Sequence, residues 1–359
     1  MSAAGYDVVI VGAGPAGSAT ALALLRHGAR VALVERRARP EDRMGESLRG
    51  VAREMLRELG VLDDFCQLEQ RPSYLHRSAW GGRVEERPAI RQRYGPDLHL
   101  DRARFDALLL ETAVARGARL FRPATLRGVR EASGGVSLSL ALAEGQVELL
   151  ATRVVDATGG GAAVARRFGA VRSRVDRLIG IARSFDRGAR EPTTLVEAAD
   201  DGWWYTAPQP RGRMVALFVT DGDSLARAAR HDETWRRCLT SAPRTEELLS
   251  VTENPSAPRS YVASPAVLDW DTARPVMPVG DAALCFDPIA ADGICFALRS
   301  GLEAAACLLR KKGSLESYKA GVHSIFRNHL ARRELIYASE RNVRPTRFWL
   351  RSRAAPERT

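Results

Sequence analysis

Lysine, paired cysteines and long apolar runs are all scarce in this sequence of 359 residues. Lysine occurs only at positions 311, 312 and 319, so the net charge of +11 comes almost entirely from arginine. Such an excess of arginine reflects a bias towards GC-rich codons as readily as it reflects an acidic partner. No zinc knuckle or RNP-like pattern accompanies the charge, so we expect no nucleic-acid binding, while a basic face for an acidic or carrier-bound substrate stays open.

The cysteines and histidines exclude two further classes of site. The five cysteines show no CxxC spacing and the six histidines form no HxxxH or HExxH pair, so neither a disulfide framework nor a metal site is expected. No apolar run approaches the roughly 18 residues that a membrane-spanning helix needs. A strand pattern begins at Tyr6, which leaves no room for a signal peptide, so we expect a cytoplasmic protein.

The sequence does contain alternating strand and helix patterns. Residues 6–35 predict a βαβ unit, with a helix over 16–27 and a second strand over 30–35. Later helices are predicted at 48–59, 101–116, 223–249 and 294–309. A meander is predicted at 125–130, 135–142 and 146–150, followed by a separate strand at 153–157 that returns to a parallel sheet.

Composition divides the chain into interleaved domains. Residues 70–97 and 172–264 are rich in strand patterns and aromatic side chains, and together predict a β-rich substrate domain. The α/β patterns around them predict a discontinuous nucleotide-binding domain that consists of residues 1–69, 98–171 and 265–317. Residues 318–359 predict a helical, arginine-rich C-terminal segment.

A glycine-rich turn points to a dinucleotide. Gly12-Ala13-Gly14-Pro15-Ala16-Gly17 directly follows a strand and opens a helix. Gly12 permits the tight turn, Gly14 lets the backbone approach a pyrophosphate, and Gly17 lets the helix pack closely against the strand. Glu35 ends the second strand, where its carboxylate can accept hydrogen bonds from a ribose, and Arg36 follows it. These residues predict a dinucleotide site without distinguishing NAD from FAD.

Two later segments favour FAD. Residues 154–159, which end in Thr158 and Gly159, resemble the ATG segment of two-dinucleotide-fold flavoproteins. Residues 280–294 resemble the second flavin motif of those proteins, in which an Asp binds the ribityl chain and a helix N-terminus faces the flavin. Its matching positions are Gly280, Asp281, Pro288, Asp292, Gly293 and Ile294. The resemblance implies an α/β fold with a glutathione reductase-like FAD domain, an interleaved β-rich substrate domain and a helical C-terminus.

Shorter segments narrow the resemblance to one branch. They are Gly45-Glu46-Ser47-Leu48, His99-Leu100-Asp101-Arg102, Ser78-Ala79-Trp80-Gly81 and the run from Gly202 to Pro208. Together they resemble group A-type flavin monooxygenases of the tryptophan halogenase branch, above all the flavoprotein hydroxylases that act on peptidyl tryptophan. This resemblance implies that Arg43, Ser47 and Arg102 lie at the flavin. For Arg102, a solvated arginine at a helix start is the alternative.

Two departures from the halogenases favour oxygen over halogen. Family halogenases depend on a lysine, and the segment where it would fall, residues 74–78, offers His76 and Arg77 instead. They also carry Ser or Thr before the glycine at the halide site, whereas this chain has Asp292, and a carboxylate repels a halide. Reduced flavin and oxygen alone would give a C4a-hydroperoxide, which hydroxylates electron-rich aromatics such as indoles.

The residues expected to act on substrate follow from this hypothesis. His76 is a candidate catalytic residue because it could serve as an acid or base near neutral pH. Glu46 is the second candidate, because the resemblance implies that it lies where the family approaches the flavin. The candidate walls of an aromatic pocket are Trp80, Trp203, Trp204 and Tyr205. For these aromatic residues the alternative is packing in the core of a sheet, and for His76 it is a surface or structural role.

The expected partners are an aromatic substrate, either free or within a peptide or carrier protein, and O2 as cosubstrate. Electrons would come from NAD(P)H or from a separate flavin reductase, because no second nucleotide fingerprint is present. Three alternatives stay open: a flavin-dependent halogenase, an FAD-dependent reductase or dehydrogenase of the geranylgeranyl reductase type, and a non-catalytic flavoprotein. The aromatic content of residues 74–80 and 203–205 disfavours the reductase.

Overall fold

The computed structural model describes residues 4–39, 44–187, 193–309, 314–351 and 357–358. Most of its strands belong to two large sheets. In chain order the strands are β1 (Ala4–Val11), β2 (Val31–Val34), β3 (Ser47–Leu48), β4 (Gln70–Ser73), β5 (Leu75–Trp80), β6 (Arg83–Pro88), β7 (Asp97–Leu100), β8 (Arg119–Phe121), β9 (Thr125–Ala132), β10 (Gly135–Leu142), β11 (Gly145–Asp156), β12 (Val171–Arg174), β13 (Leu178–Arg187), β14 (Thr193–Ala199), β15 (Gly202–Gln209), β16 (Arg213–Asp221), β17 (Thr252–Glu253), β18 (Arg259–Val262), β19 (Ala266–Asp269), β20 (Val276–Pro278), β21 (Leu284–Cys285) and β22 (Glu357–Arg358).

Ten α-helices in the described residues connect and cover these strands. They are α1 (Pro15–Leu25), α2 (Ala52–Glu58), α3 (Leu62–Gln67), α4 (Arg102–Ala115), α5 (Ser224–Ala228), α6 (Asp232–Leu239), α7 (Pro243–Leu249), α8 (Gly293–Leu308), α9 (Leu315–Arg341) and α10 (Arg347–Arg351). The predicted helices over 16–27, 101–116 and 294–309 are therefore confirmed within two residues at either end, whereas the one expected at 48–59 begins four residues later. Residues 223–249 form three short helices.

The first sheet holds the dinucleotide-type unit. Its strands lie in the order β8-β2-β1-β11-β10-β9, and β20 pairs with the carboxyl end of β11. Strands β8, β2, β1, β11 and β20 are parallel, as expected for a βαβ arrangement, and β9 and β10 form an antiparallel hairpin. Where the sequence predicted two strands, over 146–150 and 153–157, one continuous strand of 12 residues, β11, pairs with both β10 and β1.

Helices α1 and α8 cross directly above this sheet. A Cβ atom added at Gly301 would lie 2.9 Å from the Ala16 carbonyl oxygen and 2.9 Å from the Thr20 amide nitrogen, so only glycine fits at the crossing. The segment before α8 also contacts the start of α1, because a Cβ atom added at Gly280 would lie 2.7 Å from the Cβ atom of Ala16. Two flavin-type segments that are far apart in sequence thus meet at one edge of the sheet.

The second large sheet has eight strands in the order β17-β13-β16-β15-β14-β5-β6, with β18 paired to β13. Its two parts are distant in sequence, because β5 pairs in parallel with β14 through partners such as His76 and Thr194. Helices α5, α6 and α7 cover one face, around Trp204, Phe218 and Trp235. The other face carries Trp203 and Tyr205 and looks towards Met44 and Ile289 of the first domain.

The C-terminal helices join the two sheets. The carboxylate of Asp287, which is fully buried, accepts hydrogen bonds from Arg333 Nε at 2.7 Å and from Tyr337 OH at 2.8 Å. Arg333 also bridges to Asp176, at 2.5 Å, just before β13. The structure therefore has the predicted fold class, an α/β FAD-type domain with an interleaved β-rich part and a helical C-terminus, while the predicted domain boundaries stay a prediction.

Candidate flavin and substrate site

The turn before α1 has one glycine with open space and two without. A Cβ atom at Gly12, where φ is +105°, would lie 2.2 Å from the Ala157 carbonyl oxygen, and one at Gly17 would lie 2.0 Å from the Gly12 carbonyl oxygen. Nothing lies within 4 Å of a Cβ at Gly14. Pro15 opens the helix as its first residue, where no amide hydrogen is needed. The structure thus offers a helix N-terminus with free space in front of it.

Glu35 lies at the end of β2, as the sequence predicted, and faces this turn. Its two carboxylate oxygens accept hydrogen bonds from the backbone N–H groups of Ala13, at 3.0 Å, and Arg37, at 2.9 Å. These contacts fix the carboxylate beside the glycine turn, where a ribose would lie. Arg36 is exposed. Arg43, also predicted to bind the cofactor, lies outside the described residues.

The ATG-type segment follows β11 and is organised by a buried carboxylate. Asp156 accepts hydrogen bonds from the N–H and hydroxyl of Thr158 on one oxygen and from the N–H groups of Val164 and Ala165 on the other. Gly159, next in sequence, has no atom within 4 Å of an added Cβ. Asp156 therefore holds the backbone around Thr158 and Gly159 in place, leaving space beside it.

The second flavin-type motif surrounds the N-terminus of α8. Ile294 is buried in the first turn, and nothing lies within 4 Å of a Cβ at Gly293. The carboxylate of Asp292 forms an ion pair of 2.6 Å with Arg49, which is half-buried. Arg49 thus compensates the charge that would repel a halide here, and the argument against halogenation rests on the missing lysine instead.

The remaining cofactor positions of this motif lie just before α8. Gly280 and Asp281 begin a short 3-10 turn after β20, and Pro288 begins a second one. Asp287 caps the second turn by accepting the N–H of Ile289 at 3.0 Å. The open spaces at the three glycines, together with a buried oxygen of Glu46 that has no hydrogen-bond partner, fit a large dinucleotide such as FAD.

Glu46 carries a further buried carboxyl group at this site. Its residue is 2% exposed, and burial raises the pKa of the Glu46 carboxyl above its ordinary value. The hydroxyl of Tyr205 contacts this carboxyl, and burial raises the pKa of Tyr205 well above its ordinary value as well. The two groups therefore lie together in a buried, poorly hydrated place next to the flavin-type segments, where burial favours their uncharged, protonated forms.

A chain of polar side chains continues from this pair into the protein. Tyr205 OH lies 2.6 Å from Ser47 Oγ, which lies 3.4 Å from His99 Nδ1. His99 Nε2 is 2.8 Å from Thr194 Oγ1. Burial lowers the pKa of His99 to about 3, so its ring is neutral at ordinary pH. The chain is thus uncharged beyond Glu46 and fixes the orientation of Tyr205.

Arg102 supports the same loop from below. Its guanidinium donates to the carbonyl oxygens of Met44 and Gly45, at 3.0 and 2.9 Å, and forms a two-pronged ion pair with Asp106. Arg102 is buried, so it is not the solvated arginine considered as the alternative. The structure places it as the residue that holds the Met44–Gly45 backbone; a contact with the cofactor stays a prediction.

His76 lies beside this chain of polar side chains, close to the carboxylate of Asp97. Its Nε2 atom is 3.4 Å from an oxygen of Asp97 and is buried without a hydrogen-bond partner. Burial lowers the pKa of His76, and Asp97 partly opposes this effect, so a neutral ring is expected near pH 7. His76 is therefore half-buried rather than a surface histidine, and its catalytic role stays a prediction.

The three tryptophans do not line a common pocket. Trp204 points to the opposite face of the sheet, where it stacks on Phe218 and donates to the Cys238 carbonyl at 3.3 Å. Its predicted contact with substrate is therefore wrong, because neighbouring residues of a strand face opposite sides. Trp80 and Trp203 face the flavin domain but donate to the Ile336 carbonyl and the Tyr337 hydroxyl, within an aromatic cluster under α9 and α10. Packing explains both rings.

Several site residues escaped sequence reasoning. Arg49, Asp97, His99 and Thr194 form the groups around Glu46 and Asp292, although His99 stood in a quoted motif. The available signal was a polar residue among the buried positions of a strand, as His99 is in β7. The described residues contain no cluster that could hold a metal ion and no helix long and apolar enough to cross a membrane.

We expect the substitution Glu46→Gln to stabilise the protein at alkaline pH. The folded-state pKa of Glu46 is raised, so its contribution to stability is complete below the ordinary pKa of 4.5 and is lost as the pH rises through the folded value. Glutamine keeps the shape without the buried charge, so the free energy of unfolding should exceed that of the parent by about 1 to 3 kcal/mol at alkaline pH.

Urea unfolding of the apoprotein at acidic and alkaline pH measures this difference. The matched control is Glu54→Gln, which removes an exposed carboxylate on α2 and should show no such pH-dependent gain. Equal stability of Glu46→Gln and parent at every pH would contradict the assignment of a raised pKa to Glu46.

Comparisons with known proteins agree with this geometry. The family model described as FAD binding domain matches residues 5–328. LodB of Marinomonas mediterranea, named as an FAD-dependent oxidoreductase, is 27% identical over 97% of each chain. The myxobacterial chondrochloren halogenase CndH has the same fold, with a TM-score of 0.86, 23% identity, and coverage of 98% of this chain and 86% of that one. The peptidyl tryptophan dihydroxylase QhpG has a TM-score of 0.77 and 25% identity over 98% of this chain and 79% of its own.

Proposed function

Because the chain belongs to the FAD binding domain family and is an FAD-dependent oxidoreductase, we propose that it is a monooxygenase that hydroxylates an electron-rich aromatic substrate. An indole, free or within a peptide or carrier protein, is the proposed substrate class. In the net reaction an aromatic C–H bond becomes C–OH. One atom of O2 enters the product, and the other leaves as water with two electrons and two protons from a reductant.

The observation that carries this proposal is the lack of a lysine at the site. Residues 1–310 contain none, and His76 occupies the segment in which the halogenases that the chain resembles carry theirs. Lys319, the lysine among the described residues, donates to the Trp270 carbonyl at 2.6 Å and pairs with Asp269. A similarity to the dihydroxylase QhpG over nearly the whole chain further supports oxygen transfer.

The residues that would hold FAD follow from the site. Gly14 and Pro15 would face the pyrophosphate, Glu35 the adenosine ribose, and Asp281 the ribityl chain. The first turn of α8, at Gly293 and Ile294, would offer its N–H groups and positive dipole end to negative charge on the ring. Bound and reduced, FAD supplies the activation of O2; NAD(P)H or a separate reductase would reduce it.

The protein's own groups would then handle protons and water. Burial raises the pKa of the Glu46 carboxyl, which favours its protonated form, and its contact with the Tyr205 hydroxyl would let this pair pass a proton. Ser47 and His99 keep that hydroxyl in place. Leu48, which is 1% exposed, and the packed cluster of Trp203 and Tyr337 limit the entry of water.

Halogenation is the second candidate function, because one observation favours it. Arg49 compensates the carboxylate of Asp292, so the charge at the N-terminus of α8 no longer opposes a halide. The structure of CndH shows that halogenases share this fold. The missing lysine still separates the two candidates.

Mass spectrometry of the product tests the function. The FAD-loaded protein is incubated with an indole substrate, a flavin reductase, NADH and O2, with and without bromide. We expect a gain of one oxygen that bromide does not alter and that 18O2 labels. Bromination would establish the second candidate instead, and a change of two hydrogens would favour the reductase. Unchanged substrate across a panel of free and peptidyl indoles, with flavin turning over, would overturn the proposal.

A further inference from the structure

Polar side chains project from one face of the three-stranded sheet, whose strands lie in the order β3-β7-β4. Ser47 pairs in register with His99, and Ser73 pairs with Asp97. Paired residues share a face of a sheet, and so do residues two apart in a strand, as His99 and Asp97 are. All four side chains therefore lie on the same face of this small sheet.

The eight-stranded sheet presents polar residues of its own to that face. His76 of β5 pairs with Thr194 of β14, and Val196, two residues after Thr194, pairs with Tyr205 of β15. The three polar side chains thus lie on one face of the large sheet, the face that looks towards the flavin-type segments. Hydrogen bonds between the two sheets show that these polar faces are packed against each other.

The contacts between the two faces form a continuous series of hydrogen-bonding groups. Thr194 Oγ1, which contacts His99, also lies 2.8 Å from Ser73 Oγ and so extends the series described above by one hydroxyl group. We call the whole series the polar chain; in order, it consists of Glu46, Tyr205, Ser47, His99, Thr194 and Ser73. Its two ends, Glu46 and Ser73, are both buried.

Each member of the polar chain can both donate and accept a hydrogen. A protonated carboxyl group, a hydroxyl group and a neutral imidazole ring each combine a donor with an acceptor, whereas arginine and lysine can only donate. The ring of His99 is neutral, because burial lowers the pKa of His99 to about 3. A proton that enters at one end can therefore leave at the other when each group passes its hydrogen to the next.

The protonation of Glu46 determines which ring nitrogen of His99 carries hydrogen. An ionised Glu46 accepts from the Tyr205 hydroxyl, whose oxygen then accepts from Ser47. The Ser47 oxygen in turn accepts from His99, which must carry its hydrogen on Nδ1. A protonated Glu46 reverses each of these hydrogen bonds, so His99 accepts at Nδ1 and donates from Nε2 to Thr194. The tautomer of His99 is thus coupled to the charge of Glu46.

The far end of the polar chain lies beside a pair of side chains that reaches solvent. Asp97 is directly opposite Ser73 in the register, which places their Cβ atoms about 5 Å apart. His76 Nε2 lies 3.4 Å from an oxygen of Asp97, and the two side chains are 28% and 22% exposed. The polar chain therefore leads from Glu46, next to the flavin-type segments, to a carboxylate that can exchange protons with water.

Charged and titratable groups lie on the elements packed around Glu46 and His99. They are Arg71 of β4, His76 of β5, Asp97 of β7, Arg102 and Asp106 of α4, and Asp281 before α8. Burial raises the pKa of the Glu46 carboxyl, and the guanidinium of Arg102 opposes this only in part. Burial, and then His76, lower the pKa of His99. Glu46 therefore titrates in a pH range in which His99 changes its tautomer and not its charge.

We propose that the polar chain is the proton route of this enzyme, along which a proton passes between Glu46 and Asp97 while His99 changes its tautomer. One proton leaves the Glu46 carboxyl, each group between gives up one hydrogen as it receives another, and one proton arrives at the Asp97 carboxylate, from which water removes it. A second passage in the same direction would require the buried ring of His99 to turn over, so the route suits a cycle that moves one proton each way. The inference rests on the proposed function only for the use of this proton.

Nitrogen-15 NMR of the FAD-loaded protein, labelled in its histidine rings, tests the route without turnover. The shift of a ring nitrogen shows whether it carries hydrogen, and the signals lost in His99→Gln identify this ring among the six histidines. As the pH rises through the pKa of Glu46, the hydrogen of His99 should move from Nε2 to Nδ1 while the ring stays neutral. The change should disappear in Glu46→Gln, and also in Tyr205→Phe, which removes the link between Glu46 and Ser47.

Two NMR results would contradict the route. A single tautomer of His99 at every pH at which the protein is folded would show that the ring only supports the structure. An unchanged tautomer shift in Glu46→Gln would show that His99 does not respond to Glu46.

Turnover in the indole assay shows whether the route is used. Thr194→Val keeps the shape of the side chain but removes the hydroxyl that follows His99, and should lower kcat by about 100-fold without a change in KM. Asp97→Asn keeps an acceptor for the N–H of Gly50 but cannot take up a proton, and should lower kcat to a similar extent. The matched control is Thr206→Val, which removes a buried hydroxyl on the opposite face of β15 and should leave kcat unchanged.

These measurements also separate the inference from the proposed function. A protein whose His99 tautomer follows Glu46 but that oxygenates no indole would support the proton route and lose the monooxygenase proposal. A protein that oxygenates indole with the same kcat after Thr194→Val as after Thr206→Val would retain the function and overturn the route.

Discussion

Replacing Gly14 with glutamate should give a colourless protein that folds normally and no longer retains FAD. Gly14 has φ −76° and ψ −174°, which any residue adopts, and nothing lies within 4 Å of an added Cβ, so the backbone tolerates the side chain. The new carboxylate would cap the first turn of α1 and take the N–H groups that face a pyrophosphate. Two like charges about 4 Å apart near a surface repel by about 4 kcal/mol, which corresponds to a loss of affinity of about 1,000-fold.

The measurement is the amount of FAD released on denaturation, with the dissociation constant taken from quenching of flavin fluorescence. Far-ultraviolet circular dichroism reports whether the variant folds. The same change at Gly321, an exposed position of α9 that also has open space around it, is the matched control and should leave the protein yellow. If Gly14→Glu retained FAD like the parent, the N-terminus of α1 would not be the pyrophosphate site.

The second large effect is expected from Arg333→Met, which should lower the free energy of unfolding by about 3 to 5 kcal/mol. Arg333 is 7% exposed and pairs with both Asp287 and Asp176, at 2.7 and 2.5 Å. Methionine fills a similar volume but leaves the buried carboxylate of Asp287 and the partly buried one of Asp176 without their cation. Only the Tyr337 hydroxyl and the Ile289 N–H would remain as donors to Asp287. The loss of one partner from a buried ion pair costs more than the pair itself contributes.

Urea unfolding monitored by tryptophan fluorescence measures this loss. Arg332→Met, at the exposed neighbouring position of α9, is the control and should change stability by less than about 0.5 kcal/mol. The double variant Arg333→Met with Asp287→Asn should recover part of the loss, because it removes one stranded charge. A loss for Arg333→Met no larger than that for Arg332→Met would show that the ion pairs contribute nothing measurable.

The sequence was most informative where a local pattern determines a local structure. The glycine turn, Glu35 and the start of α8 are defined by neighbours within a few residues, and the structure places them at one edge of the first sheet. The spacing of Gly12, Gly14 and Gly17 even separates two positions without room for a Cβ from one with open space. The lack of lysine was equally plain, although Arg49 removes the force of the argument drawn from Asp292.

Contacts between distant segments could not be predicted in the same way. Tyr205 contacts Ser47, which is 158 residues away in the sequence, and Arg333 contacts Asp287, which is 46 residues away. Neither contact can be recognised from the spacing of neighbouring residues. The aromatic run at 203–205 shows the same difficulty. The strand pattern predicts that neighbouring residues of this run lie on opposite faces of the sheet. Which face is directed towards the flavin domain depends on how α9 packs, and for this reason Trp204 was assigned wrongly.

The crossing of α1 and α8 has a consequence for how the protein is made. Gly12 and Gly293 belong to the two segments proposed to hold the flavin, and 281 residues separate them in the chain (293 − 12). At about 5 to 20 residues per second, a ribosome needs roughly 14 to 56 s to synthesise that stretch. The early βαβ unit must therefore stay folded, or be protected, without the helix that completes its cofactor site. Flavin should enter only after most of the chain has emerged, so its supply would govern the yield of active protein late in synthesis.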